Sequence, residues 1–108
     1  MNLLLVGCSY RTAPVAVRER LALPEPRVGP TLSELLARFG GEALILSTCN
    51  RLELYAVPDA AAVGAEQAAA FLAECQQFDL AEVRPLLYEH HDAAAVHHLF
   101  RVAASWCS

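Results

Sequence analysis

The sequence contains no lysine: its eight basic residues are all arginine, and twelve acidic residues leave a formal net charge of −4. The arginines are scattered, at positions 11, 18, 20, 27, 38, 51, 84 and 101. Proteins that bind nucleic acid through its backbone usually concentrate basic residues in one patch, so the composition gives no support for a main RNA-binding surface. Arginine does favour bidentate contacts with carboxylate and phosphate, and one or two of the eight are candidate anion ligands.

Long apolar runs, a signal peptide and closely paired cysteines are also missing. No stretch reaches the roughly 18 apolar residues of a membrane span, and the first residues lack the positive segment of a secretion signal. We therefore expect a cytoplasmic location without membrane contact. The four cysteines, at 8, 49, 75 and 107, show no CxxC spacing, which favours free thiols over disulfides.

Two kinds of cofactor site are not expected. Adjacent histidines, at 90–91 and 97–98, cannot chelate one metal ion from the same helix face, so we predict no metal. Gly40-Gly41 is the only glycine pair and no G-x-G-x-x-G occurs, which argues against a dinucleotide site of the Rossmann type.

What is present is a chain of 108 residues, 56% hydrophobic and 19% charged, which predicts one globular domain over residues 1–108. Apolar periodicity and turn residues predict its elements. The first half is expected to contain a strand, a helix that Thr12 caps, a proline-rich loop, a helix and two strands: residues 3–6, 15–21, 24–30, 31–39, 43–46 and 51–57.

The second half is predicted to begin with a long alanine-rich helix over 60–76, capped by Asp59. A helical turn over 80–83, a strand over 86–88 and a helix over 93–104 capped by Asp92 follow. This order predicts an α+β fold, a ferredoxin-like split βαβ antiparallel sheet covered by helices, with an extra C-terminal helix.

Cys49 is the first candidate for chemistry. It follows a predicted buried strand and lies in the polar segment Ser47-Thr48-Cys49-Asn50-Arg51, and loops at strand ends commonly carry catalytic groups. The reactive form of cysteine is the thiolate, which a nearby cation such as Arg51 favours. The alternative is a small buried hydrophobe, the commoner role of a free cysteine.

Helix geometry gives His98 two interpretations. In the last predicted helix, Val96, Leu99, Phe100 and Ala103 form the expected apolar stripe and His98 lies off it. It is then either a solvated side chain or the wall of a cleft, and the geometry alone favours solvent. Glu53 alternates with Arg51 on a predicted strand, which indicates a modest surface ion pair.

Three segments together resemble the N-terminal catalytic domain of glutamyl-tRNA reductases. Residues 7–15 (GCSYRTAPV), followed by Arg18-Glu19, are similar to the opening signature of that family. Residues 46–55 (LSTCNRLELY) are similar to its active-site segment, and residues 87–103 to the helix that closes its catalytic domain. The three occur in the family's order and span almost the whole chain.

The resemblance implies an NADPH-dependent oxidoreductase that reduces glutamyl-tRNA to glutamate-1-semialdehyde, the entry to tetrapyrrole and porphyrin biosynthesis. In such an enzyme Cys49 attacks the ester carbonyl to form a thioester, because a thioester accepts hydride more readily than a carboxylate does. His98 matches the histidine that assists near the nucleophile, which favours the cleft wall over solvent. Arg51 matches the arginine that holds a substrate carboxylate, and Thr48, Asn50 and Ser9 are candidate contacts to the glutamyl group.

The chain departs from the family pattern in two respects. Trp106 and Cys107 replace the family's leucine and aspartate before Ser108, which occupies the position of a substrate-facing serine. The domains that bind NADPH and form the homodimer in the family are not expected within these 108 residues, nor is reduction by this chain alone. The family's possible partner, glutamate-1-semialdehyde aminomutase, is implied by the resemblance only.

Two alternatives remain at this point. One is a ferredoxin-like binding or regulatory module whose cysteine and histidine residues are structural. The other is a stand-alone Cys–His acyl-transfer enzyme, which keeps the nucleophile but needs no reductase domain. Absence of an adduct on Cys49 would exclude both the reductase and the acyl-transfer enzyme. An adduct that NADPH leaves unchanged would show that this chain lacks the reduction step, as we expect.

Overall fold

An antiparallel sheet organises the chain, which a computed structural model describes over residues 2–59 and 63–104. The strands are β1 (Leu4–Ser9), β2 (Glu42–Ser47), β3 (Arg51–Val57) and β4 (Tyr88–His91). The helices are α1 (Val15–Leu21), α2 (Glu25–Phe39), α3 (Ala65–Cys75), α4 (Leu80–Val83) and α5 (Ala93–Ala104), with a 3₁₀ turn at Arg84–Leu86. The strand order is β2-β3-β1-β4 and every neighbouring pair is antiparallel, which confirms the predicted split βαβ arrangement.

The main core lies on one face of this sheet. Because side chains alternate across a strand, one face is formed by the even-numbered residues of β1 and β3: Leu4, Val6, Cys8, Leu52, Leu54 and Ala56. They pack against residues of the helices that precede and follow the β2–β3 hairpin, among them Leu21, Leu35, Phe71 and Leu72. Burial of each large side chain of this kind contributes about 1.5–3 kcal/mol.

The C-terminal helix α5 covers the opposite face. There Leu5, Tyr55 and Ala95 are buried together, with Leu3, Tyr88 and Leu99 packed against them. Both backbone and side chain of Asp92 hold the start of α5 to β1, since its N–H donates to the carbonyl of Leu3 (2.9 Å) and its Oδ1 accepts from the Leu3 N–H (3.0 Å). The Asp92 side chain therefore links helix to strand.

The orientation of α5 differs from the predicted one. Its inward positions are Ala95, His98, Leu99 and Val102, at the i, i+3, i+4, i+7 spacing of one helix face. Phe100 points outward and is 67% exposed, so the predicted stripe was rotated by about one residue. His98 faces inward because the sheet supplies polar partners for it. A prediction from the spacing of apolar residues alone does not include such partners.

Three predicted element boundaries were wrong, the first of them at the start of α2. Helix α2 begins at Glu25, although prolines at 24, 26 and 30 indicated a loop. Proline is tolerated in a first helical turn, and the early part of α2 is held to the end of α3 by Arg27, whose Nη1 donates to Oε1 of Gln76 (3.0 Å) and Nη2 to the carbonyl of Cys75 (3.2 Å). These tertiary contacts offset the cost of Pro30 within the helix.

The alanine-rich helix begins later than predicted. Its N-cap is Gly64, whose N–H donates to Oε1 of Gln67 (2.9 Å). Asp59 instead lies against Gly40, and its N–H donates to the carbonyl of Phe39 (3.1 Å). Strand β4 also lies later than the predicted 86–88. Within 2–59 and 63–104, no helix has both the length and the apolar composition needed to cross a membrane.

Candidate active site

Cys49 lies at the exposed tip of a tight turn between β2 and β3. The turn is closed by the N–H of Thr48, which donates to the carbonyl of Arg51 (2.8 Å). Oγ1 of Thr48 accepts from the N–H groups of both Asn50 and Arg51, at 3.2 Å each. The Thr48 hydroxyl thus shapes the turn and leaves the Cys49 thiol facing outward.

The segment that follows β1 and the helix α1 both hold this turn in place. The N–H of Tyr10 donates to the carbonyl of Asn50 (2.8 Å). Nη1 of Arg18 donates to the carbonyl of Cys49 (3.2 Å), while its Nε donates to the carbonyl of Ala13 (3.2 Å). The Arg18 guanidinium is therefore held against the backbone of the turn that carries Cys49.

The other two described cysteines contrast with Cys49. Cys8 is buried in the main core and Cys75 is half-buried near the end of α3. Burial raises the pKa of both the Cys8 and the Cys75 thiols above the ordinary value of 9.0. Among these three cysteines, Cys49 alone is exposed.

A buried carboxylate lies behind the turn. Glu53 is completely buried, and its carboxylate accepts hydrogen bonds from the hydroxyl of Tyr55 (2.7 Å) and from the hydroxyl of Tyr88. Nη1 of Arg51 also contacts it, at 3.1 Å. The sequence predicted only a surface pair with Arg51, which was wrong because β3 is buried on both of its faces.

The hydrogen bonds keep Glu53 ionised. Burial by itself raises the pKa of the Glu53 carboxyl, but the donors Tyr88, Tyr55 and His98 outweigh burial and hold this pKa below the ordinary value. The same burial and the same carboxylate raise the pKa of both tyrosine hydroxyls well above their ordinary value of 10.0. Both tyrosines therefore remain hydrogen-bond donors.

The buried carboxylate fixes the ring of His98. Nε2 of His98 lies 2.6 Å from Oε2 of Glu53, and 19% of the His98 side chain is exposed. Since an ionised carboxylate only accepts hydrogen bonds, Nε2 carries the proton and Nδ1 is the nitrogen left free to act as a base. In the part of the chain that the structure describes, Nδ1 has no hydrogen-bond partner.

Two rings pack on His98 and complete its environment. The Tyr88 ring centroid lies 5.2 Å from that of His98, and the His90 centroid lies at 5.0 Å. Burial lowers the pKa of His90, and the neighbouring His98 lowers this pKa further. An uncharged His90 therefore packs beside His98 at neutral pH.

A cavity of about 130 Å³ brings several predicted residues together. It is lined by Ser9, Tyr10, Arg11, Arg51, His98, Arg101 and Val102. Other cavities, of about 250 and 340 Å³, contain none of the residues that the family resemblance implies for the site. The smaller one is therefore the candidate substrate cleft, and His98 forms part of its wall.

The remaining predicted residues differ in their placement. Oγ of Ser9 accepts from the N–H of Arg11 (3.2 Å), and Ser9 is buried. Asn50 lies next to Cys49 in the turn. None of the described residues, including His98, hydrogen-bonds the Cys49 thiol, and Cys49 is not among the residues that line the cavity. Ser108 lies outside the described residues.

Sequence reasoning missed Glu53, Tyr88, Tyr10, Arg11 and Arg101 as site residues. The available signal for Glu53 was its alternation with Arg51 and Tyr55, which places all three on one face of β3. The burial of that face depends on α5, whose position the sequence pattern did not give.

The described residues form neither a dinucleotide site of the Rossmann type nor a cluster of metal ligands. Dinucleotide sites of the Rossmann type need parallel strands and an open glycine loop, whereas this sheet is antiparallel. A side chain on Gly41 would collide with the carbonyl oxygen of Val57, so the glycine pair is a packed turn. Within the described ranges, no three His, Cys, Asp or Glu residues are grouped to hold a metal ion.

Comparison with known proteins shows the family of this chain. The chain is 48% identical over 105 residues to a glutamyl-tRNA reductase of Synechococcus sp. (strain JA-3-3Ab), covering 96% of this chain and 24% of the relative. It is 49% identical over 105 residues to that of Myxococcus xanthus (strain DK1622), covering 97% of this chain and 23% of the relative. The chain thus spans about a quarter of the length of these curated relatives.

A solved structure and a family model extend the comparison. The glutamyl-tRNA reductase from Methanopyrus kandleri matches 98% of this chain and 23% of its own, with 27% sequence identity and a TM-score of 0.66. Residues 6–108 match the family model described as glutamyl-tRNAGlu reductase, N-terminal domain. This match covers most of the sequence, and the chain belongs to the family of glutamyl-tRNA reductase N-terminal domains.

Proposed function

We propose that this chain captures the glutamyl group of glutamyl-tRNA as a thioester on Cys49. The observation that carries the proposal is the exposed Cys49 turn beside an arginine-lined cleft whose histidine is oriented by a buried carboxylate. Family membership supplies the substrate class. A binding module with the same fold would need neither an exposed thiol nor a histidine with one ring nitrogen left free.

The capture step is an acyl transfer from oxygen to sulfur. Sγ of Cys49 attacks the ester carbonyl carbon, a C–S bond forms, and the bond from that carbon to the ribose oxygen breaks. The thiol proton ends on the ribose oxygen of the released tRNA. Thiol plus ester gives thioester plus alcohol, so the step needs no oxidant or reductant.

His98 moves the proton in this proposal. Its Nε2–H donates to Glu53, which leaves Nδ1 to accept the thiol proton and return it to the leaving ribose oxygen. The two side chains do not touch, so the proton passes through the substrate or one water molecule. Glu53 acts as a positioning residue, as a carboxylate behind a catalytic histidine does.

The other predicted residues orient the glutamyl group. Nη1 of Arg51 contacts Oε2 of Glu53 at 3.1 Å, and Arg51 also lines the cleft. There its guanidinium binds the side-chain carboxylate of the substrate. Asn50 and Ser9 contact the same group. Thr48 contributes by shaping the turn, and Ser108 is kept as a proposed contact from the family match alone.

Further steps belong to the family's other parts. We infer that reduction of the thioester by NADPH, formation of the homodimer and any contact with glutamate-1-semialdehyde aminomutase require segments beyond these 108 residues. Nothing in the described residues supplies a hydride donor. We propose participation in tetrapyrrole biosynthesis from the resemblance, and a cytoplasmic location from the composition of the sequence.

Trapping the thioester tests the proposal. The chain is mixed with glutamyl-tRNA, quenched in acid and analysed by intact-mass spectrometry. We expect a mass increase of one glutamyl group on Cys49 that hydroxylamine removes. The Cys49→Ser variant should carry no adduct, whereas the matched control Cys75→Ser should form it normally. A folded wild-type chain without adduct, or an adduct that persists in Cys49→Ser, overturns the proposal.

A further inference from the structure

Three residues of the cleft, namely Tyr10, Arg11 and Arg101, have no part in thioester formation. We propose that they form a nucleotide subsite, in which the two arginines bind a phosphate and the tyrosine ring stacks on a base. The proposal rests on the function proposed above, and the nucleotide is then the terminal adenosine of glutamyl-tRNA with the phosphate on its 5′ side.

The charges of the cleft favour a phosphate. Three arginines line it, and only Arg51 among them contacts a carboxylate in the described part of the chain, that of Glu53 at 3.1 Å. Arg11 and Arg101 are both exposed, and no carboxylate occurs among the described residues of the lining. Because the glutamyl carboxylate is assigned to Arg51, the guanidinium groups of Arg11 and Arg101 are left to match a second anion.

Tyr10 gives this anion site an aromatic neighbour. It is one of few large hydrophobic side chains at the surface, with 38% of its area exposed. The Arg11 guanidinium carbon lies 5.5 Å from the Tyr10 ring centroid, and its Nε donates to the Tyr10 hydroxyl (3.1 Å). Both Nη groups of Arg11 remain without a partner in the described part of the chain. An exposed ring next to free guanidinium donors is how proteins bind single-stranded nucleotides, by stacking and by phosphate contacts.

The position of the subsite relative to Cys49 matches the geometry of the substrate. The N–H of Tyr10 is bonded to the carbonyl of Asn50, which directly follows the nucleophile. In aminoacyl-tRNA the reacting ester joins the amino acid to the ribose of the terminal adenosine. When the ribose lies at Cys49, its base and 5′ phosphate therefore lie near Tyr10 and Arg11.

The scattered arginines of the sequence agree with a contact of this size. A net charge of −4 does not suit a broad RNA-binding surface. A single phosphate and a single base need only local charge, and the cleft supplies it. The subsite thus holds the acceptor end without binding the body of the tRNA.

Two stable substrate analogues test the proposal by calorimetry on the wild-type chain. The first is adenosine with glutamate amide-linked at its 3′ position, and the second is the same nucleoside extended by a 5′-linked cytidine, which adds the phosphate. We expect the extended analogue to bind about ten- to a hundredfold more tightly, as charged contacts to a phosphate predict. Tyr10→Ala should weaken binding of both analogues by about five- to a hundredfold.

The variants Arg11→Gln and Arg101→Gln, made singly, should each reduce the difference between the two analogues. Arg27→Gln is the matched control, because Arg27 is also exposed but lines a different cavity next to Gln76. It removes the same charge and should leave the difference unchanged. An equal loss in Arg27→Gln assigns the effect to overall charge and overturns the subsite.

The remaining outcomes separate this proposal from the function on which it rests. Equal affinities for the two analogues, in a chain that still forms the Cys49 adduct with glutamyl-tRNA, overturn the subsite alone. Absence of the adduct overturns the proposed function. NADPH is the other nucleotide of the family's reaction, and tight NADPH binding that depends on Arg11 and Arg101 would assign the site to the cofactor and also overturn the proposal.

Discussion

Gly7 of β1 and Glu53 of β3 are paired directly across the sheet, and the absence of a side chain on Gly7 makes room for the buried carboxylate. A Cβ atom at Gly7 would lie 2.9 Å from Cγ of Glu53 and 2.6 Å from the carbonyl oxygen of Leu52. Gly7 is also paired with Tyr88 of β4 on its other side. The Tyr88 hydroxyl therefore reaches Glu53 across a strand position that carries no side chain.

Gly7→Ala is expected to lower the free energy of unfolding by about 1–3 kcal/mol, because the new methyl group overpacks the space next to Glu53. Chemical denaturation measures the change. Gly29→Ala is the control: Gly29 is inside α2 with open space where its Cβ would be, so alanine there should stabilise the chain by about 0.5–1 kcal/mol. Equal effects at the two positions would contradict the proposed packing.

Glu53→Gln should reduce the rate of thioester formation by about a hundredfold, because His98 loses the carboxylate that orients it. The rate is measured by acid quench and mass spectrometry. Tyr55→Phe removes a hydrogen bond to the same carboxylate while leaving the charge and the His98 contact in place, and should have a much smaller effect. A similar loss of rate in both variants would indicate that Glu53 has a purely structural role.

Tyr88→Phe should change the dependence of stability on pH. The pKa of Glu53 is lower in the folded chain than its ordinary 4.5, so Glu53 stabilises the fold fully above that pH and loses this contribution as the pH falls through its folded pKa. The Tyr88 hydroxyl donates one of the hydrogen bonds that lower this pKa. Without it, the gain in unfolding free energy between about pH 3 and about pH 6 should be smaller than in the wild type. An unchanged gain would exclude Tyr88 as a cause of the shift.

The orientation of α5 is tested by two neighbouring residues. Leu99 packs on Tyr55 and Leu5, so Leu99→Ala should cost about 1–2 kcal/mol, less than for a fully buried leucine. Phe100 is 67% exposed, and Phe100→Ala should change the unfolding free energy by less than about 0.5 kcal/mol. The reverse order of effects would restore the helix face that the sequence pattern predicted.

Local patterns were sufficient for much of the fold. Alternation and apolar runs placed β1, β2 and β3, and the proline after Thr12 marked the start of α1. The early turns of α2 were not predictable, because the contacts of Arg27 with the end of α3 are made by residues about fifty positions away in the sequence. Tertiary contacts of this kind commonly override the helix propensity of the local sequence.

The candidate site was predictable in part. Cys49, Arg51 and Ser9 were found from local sequence and family resemblance, and the structure places them at one end of β1 and β3. Glu53 was missed because the burial of a strand's second face depends on which element covers it. That element is α5, and its rotation by one residue brings His98 to Glu53 and takes Phe100 away from the sheet.

Because side chains alternate along β1 and β3, mutations in these strands affect one of two different environments. Even-numbered residues of β3 face the main core, whereas Arg51, Glu53 and Tyr55 face α5 and the cleft. Insertion or deletion of one residue at the start of β3 would exchange the two sets, placing a carboxylate and a guanidinium in the apolar core. Short insertions in this strand are therefore more damaging than most substitutions, since they disrupt folding and chemistry in a single event.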